Sequence, residues 1–278
     1  MKSYLRTKDH AVSGEEFELL LHEDLEMLIT KPRPKDLDRY YESTGYISHT
    51  DANSSLLEKI YQTVKRYSIR RKVRLINRYD SGQRTLMDFG AGTGDFLLAA
   101  KRKGWEVSGV EPNWGARKKA SEKGINLIPE IAPKNQRKYQ VITLWHVLEH
   151  LPDLENQISK LVDLLEDEGT LIVAVPNFKS FDAEHYKEFW AAYDVPRHLW
   201  HFSRSAIQKL FASSNLKVIN VKPMHFDSFY VALLSEKYKT GKQRYLHAFF
   251  NGLRSNIMAW RSKEYSSLIY ILQRGQNS

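Results

Sequence analysis

The 278-residue sequence contains no cysteine, which excludes disulfides, thiolate catalysis and Cys-ligated zinc together. No apolar run approaches the ~20 residues of a membrane-spanning helix. The opening MKSYLRTKDH lacks the apolar core of a signal peptide, so a cytoplasmic location is expected. Internal repeats and low-complexity tracts are missing too. Acidic residues are scarce in one place: residues 203–278 carry 12 basic and 3 acidic side chains, whereas residues 85–202 carry 14 and 17. The net charge of +9 therefore resides in the last quarter, a region suited to phosphates, nucleic acid or an anionic membrane surface.

What is present, 42% hydrophobic and 27% charged residues, is the balance of an ordinary globular chain. Residues 17–30 read as a β-hairpin and KPRPKD as a break in regular structure. Helices are expected near 34–42 and 54–77, the second with Leu57, Ile60, Val64 and Tyr67 at helical spacing. Its cluster Lys65, Arg66, Arg70, Arg71 and Lys72 reads first as a solvated face.

From Arg84 the rhythm changes. Strands are expected at TLMDF (85–89), WEVSGV (105–110), INLI (125–128), VITLW (141–145), TLIVAV (170–175), LKVINV (216–221) and SLIYIL (267–272). Helices fall near 95–103, 113–123, 153–165 and 203–213, with Ser203 as an N-cap. Strands alternating with helices imply βαβ units, hence an α/β fold of the Rossmann-like doubly wound kind with an N-terminal extension.

The loop Asp88-Phe89-Gly90-Ala91-Gly92-Thr93-Gly94-Asp95 follows a strand and opens a helix. Its D-x-G-x-G-x-G spacing departs from the dinucleotide fingerprint G-x-G-x-x-G, because Asp95 takes the third position of that motif. Bare peptide in this pattern suits a bulky adenosyl amino acid. Glu111 ends the next strand, where an acid can accept both hydroxyls of a ribose.

The segments MDFGAGTGDF, GVEPN, VITLWHVLEHLPD and EDEGTLIVAVPNF resemble, in order and spacing, class I S-adenosylmethionine-dependent methyltransferases. Within that group YYESTGYISH (40–49) and YDVPRHLWHFS (193–203) look like the ubiquinone/menaquinone-biosynthesis-like branch. The resemblance implies a seven-stranded sheet with its last strand antiparallel, the role of SLIYIL. It also implies S-adenosylmethionine as cofactor and S-adenosylhomocysteine as product. By the same resemblance Asp88, Gly90, Ala91, Gly92 and Gly94 line the methionine and ribose side, and Glu111 takes the ribose. Pro112 and Asn113 lie beside the adenine, with Trp145 and His146 under the cofactor. Relatives carry an Asp after the third strand for the adenine amino group, for which Glu130 is only an approximate match. FELLLHEDLEMLITKPRP looks like the end of a zinc-ribbon module, here a metal-free remnant with His22 and Leu25 at the cysteine positions. The expected organisation is thus residues 1–52 as extension and cap, then residues 53–278 as catalytic domain with a helical insertion at 225–263.

Candidate bases are His146, His150, His198 and His201. A metal reading of His146, Glu149 and His150 lacks the H-E-x-x-H order, so no metal is expected. His150 reads equally as a loop histidine satisfied by backbone. On the substrate side stand Tyr41, Tyr46, His49, Arg197 and His198, with a structural ion pair the competing role for Arg197. In the insertion, Leu246, Phe250, Leu253, Ile257 and Trp260 share a helix face, flanked by Arg244, Arg254, Arg261 and Lys263. A lid or core helix is the first reading of that stripe, with a dimer helix and a membrane-surface helix as rivals. The expected acceptor is a small or lipid-linked molecule methylated at O or C. An RNA methyltransferase using the basic helix and the C-terminal region is one alternative, and a non-catalytic cofactor- or partner-binding module is another.

Overall fold

The computed structural model describes residues 1–41, 56–131 and 137–275. Tyr46 and His49 lie outside the described residues. The chain opens with three antiparallel strands, β1 (Lys2–Lys8), β2 (Glu16–His22) and β3 (Met27–Lys31). The β2–β3 hairpin is the expected one. β1 escapes sequence reading because KSYLRTK has few apolar residues, and only its pairing along β2, from Lys2↔Leu21 to Lys8↔Glu16, makes it a strand. The helix expected at 34–42 is a single 3-10 turn over Asp38–Tyr40. There the buried Tyr40 is captured by tertiary contacts rather than by helical ones.

Helix α1 (Leu56–Ile76) leads into the alternating region. It runs β4 (Thr85–Phe89), α2 (Asp95–Lys101), β5 (Glu106–Val110), α3 (Trp114–Ser121), β6 (Tyr139–Trp145), α4 (Leu154–Asp163) and β7 (Leu165–Pro176). Then follow α5 (Phe181–Tyr186), β8 (Trp200–His201), α6 (Arg204–Ala212) and β9 (Leu216–Pro223). Helices α7 (Asp227–Thr240) and α8 (Tyr245–Ser262) precede the final strand β10 (Ser267–Arg274). The main sheet has the order β5-β4-β6-β7-β10-β9. β4 to β7 are parallel, and β10 runs antiparallel to both β7 and β9.

Among the described residues this sheet has six strands, not the seven expected. INLI contributes only a parallel bridge between Ile128 and Val110, because Pro129 has no N–H to continue the ladder. Leu171 to Val175 on β7 are buried on both faces, as a continuous apolar run in a parallel sheet must be. β8 pairs with β3, so the N-terminal strands and Trp200–His201 form one four-stranded sheet. Phe17, Leu19, Leu28 and Tyr40 share a core with Trp190, Tyr193, Val231 and Ala248, joining that sheet to the α7–α8 hairpin.

The insertion corrects one expectation. Leu246, Phe250, Leu253, Ile257 and Trp260 face outward, while Ala248, Gly252, Ser255 and Ala259 are the buried face of α8. A Cβ on Gly252 would lie 2.9 Å from the Phe229 Cα, so the close approach of α7 selects the small-residue face.

Candidate active site

The C-terminal ends of β4, β5 and β6 meet at the glycine loop. The Gly90 and Ala91 N–H groups donate to the Val110 carbonyl at 2.8 and 2.9 Å, folding the loop onto the end of β5. Gly90 has φ of +74° and a Cβ there would sit 2.4 Å from Val147 Cγ2. Gly92, by contrast, has φ of +54° and open space where its side chain would be. It is the one position of the loop where a ligand can lie against bare peptide.

Glu111 faces the same space. Its Oε2 accepts from the Gly92 N–H at 2.8 Å and its Oε1 from the Asn113 N–H at 2.9 Å. Each oxygen keeps a further lone pair, which is the chemistry needed to take two vicinal hydroxyls. The Asn113 side chain caps α3 through the Ala116 N–H, and Arg117 donates to the carbonyls of Glu111 and Pro112. What Pro112 and Asn113 offer a ligand is therefore a rigid backbone. Glu130, the approximate adenine match, is exposed. Asp88 is buried and accepts from Thr143 Oγ1 at 2.6 Å, and burial pushes its carboxyl up to about 7.

Trp145 and His146 leave β6 beside this loop. Lys72 Nζ stands 4.4 Å from the Trp145 ring centroid, and the indole Nε1 is buried without a partner. Lys65 pairs with Asp95 at 2.7 Å. The basic run of α1 is thus only partly solvated: Lys65 and Lys72 turn inward, while Arg66 and Arg70 are exposed. A cavity of about 490 Å³ opens next to Lys72, lined among others by Tyr67, Arg71, Lys222, His225 and Asp227.

His146 is held at φ of +57°, with Nε2 3.0 Å from Asp227 and Nδ1 3.4 Å from Glu149. Burial alone would lower its pKa, but the two carboxylates outweigh that and raise it to about 10. A group that is already protonated at neutral pH takes no proton from an acceptor, which corrects the assignment of His146 as a base. Its stabilising contribution is complete below about pH 6.5, the unfolded value, and is lost as pH rises through about 10. The imidazole ¹⁵N resonances of His146 are expected to be those of the imidazolium at pH 7. In Asp227→Asn their titration midpoint should drop by about 1 pH unit or more. An unchanged midpoint would show that Asp227 does not hold the charge.

The remaining histidines separate by environment. His198 is buried with Nδ1 2.9 Å from the Ala192 carbonyl oxygen, and burial lowers its pKa to about 4, so it is neutral and a weak base. His201 is buried with Nε2 2.9 Å from Thr30 Oγ1 and belongs to the N-terminal sheet, away from any base role. His150 Nδ1 lies 3.0 Å from the Arg197 carbonyl oxygen and 3.1 Å from the Tyr41 hydroxyl. A carbonyl can only accept, so Nδ1 carries the hydrogen and Nε2 keeps the lone pair in the neutral ring. This contact places Tyr41 beside His150.

Arg197 does not face a substrate. Its side chain is 1% exposed, with NH2 2.6 Å from Asp194 and 3.0 Å from Asp9, and NH1 donates to the Tyr40 carbonyl. The structural ion pair is the role the structure assigns to it. Donor atoms of Glu149, His150 and His198 approach within 4.8 Å of one another, a spacing open to a cation. The trio differs from the sequence-based one by taking His198 from the distant loop in place of His146. Both Glu149 oxygens are buried without a hydrogen bond, and His146 supplies the positive charge they face.

Sequence reading missed Lys72 as a site residue, and Asp227 as well. The signal for Asp227 was its isolation, since it is one of three acids in residues 203–278.

Over residues 61–221 the chain matches the family described as a methyltransferase domain. It is 29% identical over 104 residues to the ubiquinone biosynthesis O-methyltransferase of Serratia proteamaculans, covering 34% of this chain and 43% of that protein. To the C-methyltransferase NovU of Streptomyces niveus it is 25% identical over 144 residues, 49% of this chain and 33% of that one. The chain spans less than half the length of these curated relatives. In fold it resembles magnesium protoporphyrin IX methyltransferase from Synechocystis PCC 6803, with a TM-score of 0.56 over 85% of this chain and 97% of the other at 16% identity.

Proposed function

Because the chain belongs to the methyltransferase-domain family, we propose that it transfers a methyl group from S-adenosylmethionine to oxygen or carbon of a small or lipid-linked acceptor. The observation that carries this reading is the open space over Gly92 with the doubly anchored Glu111 carboxylate beside it. S-adenosylmethionine, when bound, supplies an electrophilic methyl on a sulfonium, and S-adenosylhomocysteine is left. The protein's part is to hold the donor and exclude water. Gly92 presents bare backbone in a loop that Gly90, Ala91 and Gly94 fold into shape, Glu111 accepts the ribose hydroxyls, and Trp145 closes the floor. The buried indole Nε1 of Trp145, unpartnered in the structure, is the polar atom such a ligand would satisfy.

Displacement at a sulfonium methyl needs an aligned nucleophile more than it needs acid or base. A hydroxyl or carbon acid must still lose a proton, and His150 is the histidine whose Nδ1 is committed to the Arg197 carbonyl, which leaves Nε2 as the atom to take it. The acceptor enters beside Lys72, where Arg71 and Lys222 favour a molecule that is anionic or ionises on reaction.

Calorimetric titration with S-adenosylhomocysteine tests the donor site. Micromolar affinity is expected, and Glu111→Ala should weaken it about 10-fold or more, ~1.4 kcal/mol. No heat of binding with either S-adenosylhomocysteine or S-adenosylmethionine at millimolar concentration would overturn the assignment.

A further inference from the structure

Helix α8 is amphipathic in the reverse of the usual sense. Its buried face is made of Ala248, Gly252, Ser255 and Ala259, and its bulky apolar residues are in solvent. Leu246 is 74% exposed, Phe250 63%, Ile257 59% and Trp260 74%. At ~100° per residue these side chains, with Phe249 and Leu253, fall within a continuous arc of about 100°. The arc cannot turn inward, since α7 approaches Gly252 too closely for any larger side chain. A contiguous apolar stripe of this size on a surface marks an interaction site.

Charge identifies what the stripe meets. Arg244, Arg254, Arg261 and Lys263 border it, with Lys237 and Lys239 on the adjoining end of α7 and Lys242 in the turn that follows. None of these seven lies within 4 Å of a carboxylate among the described residues. The three acids of residues 203–278 are all engaged inside: Asp227 with His146, Glu236 with Tyr186 and Asn251, and Glu264 with Asn177. The outward side of this hairpin therefore presents bulky apolar groups in a rim of uncompensated cations. Among the described residues no helix is long and apolar enough to cross a membrane, so the helix can lie on a bilayer but not span it.

We propose that the outer face of α8 docks in the plane of an anionic lipid bilayer. Phe250, Ile257 and Trp260 enter the acyl boundary, and the flanking arginines and lysines meet lipid phosphates. The α7–α8 hairpin also carries Asp227, the partner of His146, so the docked element is one that reaches the candidate site.

The test is flotation of the full chain with vesicles of phosphatidylcholine alone and of phosphatidylcholine with 30% phosphatidylglycerol. Binding is expected to the anionic vesicles, weak on the neutral ones and reduced at 0.5 M salt. Phe250→Ser with Trp260→Ser should lower partitioning on the order of tenfold or more, and Arg244→Glu with Arg261→Glu should remove the preference for anionic lipid. All four side chains are exposed, so near-UV circular dichroism should match the parent chain. Tryptophan quenching by brominated lipid should be lost in Trp260→Phe. Absence of binding to anionic vesicles, or equal binding by the variants, overturns the proposal. So does a dimer in sedimentation velocity that Phe250→Ser with Trp260→Ser dissociates while vesicles go unbound. That result would make the stripe an interface between two copies. Donor binding measured on the same samples is independent of either outcome.

Discussion

Arg197→Ala is expected to cost about 3–5 kcal/mol of folding stability, the range for leaving buried charges unpaired. The guanidinium holds Asp194 and Asp9, and Asp9 is also the acceptor for the N–H groups of Ala11, Val12 and Ser13 in the turn between β1 and β2. One side chain thus ties the N-terminal sheet to the loop that carries His198. For a chain of this size the loss corresponds to a fall of about 10 °C in the melting temperature. Burial would raise both aspartates, but Arg197 and the turn hydrogen bonds outweigh it and hold them below 3.8. Their contribution is present above about pH 4 and is lost as pH falls further, so the difference between parent and variant should shrink in acid. A substrate-binding arginine gives the opposite result, an unchanged melting curve with a raised KM. Thermal denaturation at pH 7 and pH 3 separates the two.

His150→Asn is expected to lower kcat by about 100-fold or more while S-adenosylhomocysteine affinity stays within about 2-fold. Asparagine can keep the donor that Nδ1–H offers to the Arg197 carbonyl, so the loop stays anchored while the Nε2 lone pair is gone. Transfer of labelled methyl groups into a panel of hydroxylated aromatic and lipid-linked acceptors is the measurement. An unchanged rate would return His150 to the role of a loop histidine satisfied by backbone. His146 cannot replace it, because Asp227 and Glu149 keep that ring protonated. His198 is a poor substitute, being buried and held neutral.

These two residues mark the limit of reading a site in order along a chain. The glycine loop and Glu111 were legible because their chemistry is backbone chemistry over short spans: a turn after a strand, an acid at the next strand's end. Arg197 and His198 look like a substrate loop in PRHLWHFS, and only Asp9, nearly 190 positions away, shows that the arginine is an internal tie. The same holds for His146, whose charge is set by an aspartate 81 positions later.

The alternation of strands and helices, the Ser203 cap and the glycine loop were legible in the sequence alone, since periodicity and turn chemistry act locally, whereas the antiparallel last strand came from the family resemblance. Tertiary structure alone decided that β1 is a strand, that INLI shrinks to one bridge, and that the bulky stripe of α8 faces out. It also decided which histidines are charged. Pairing partners, close helix approach and the distance to a carboxylate depend on what the rest of the chain brings alongside, and no local pattern encodes them.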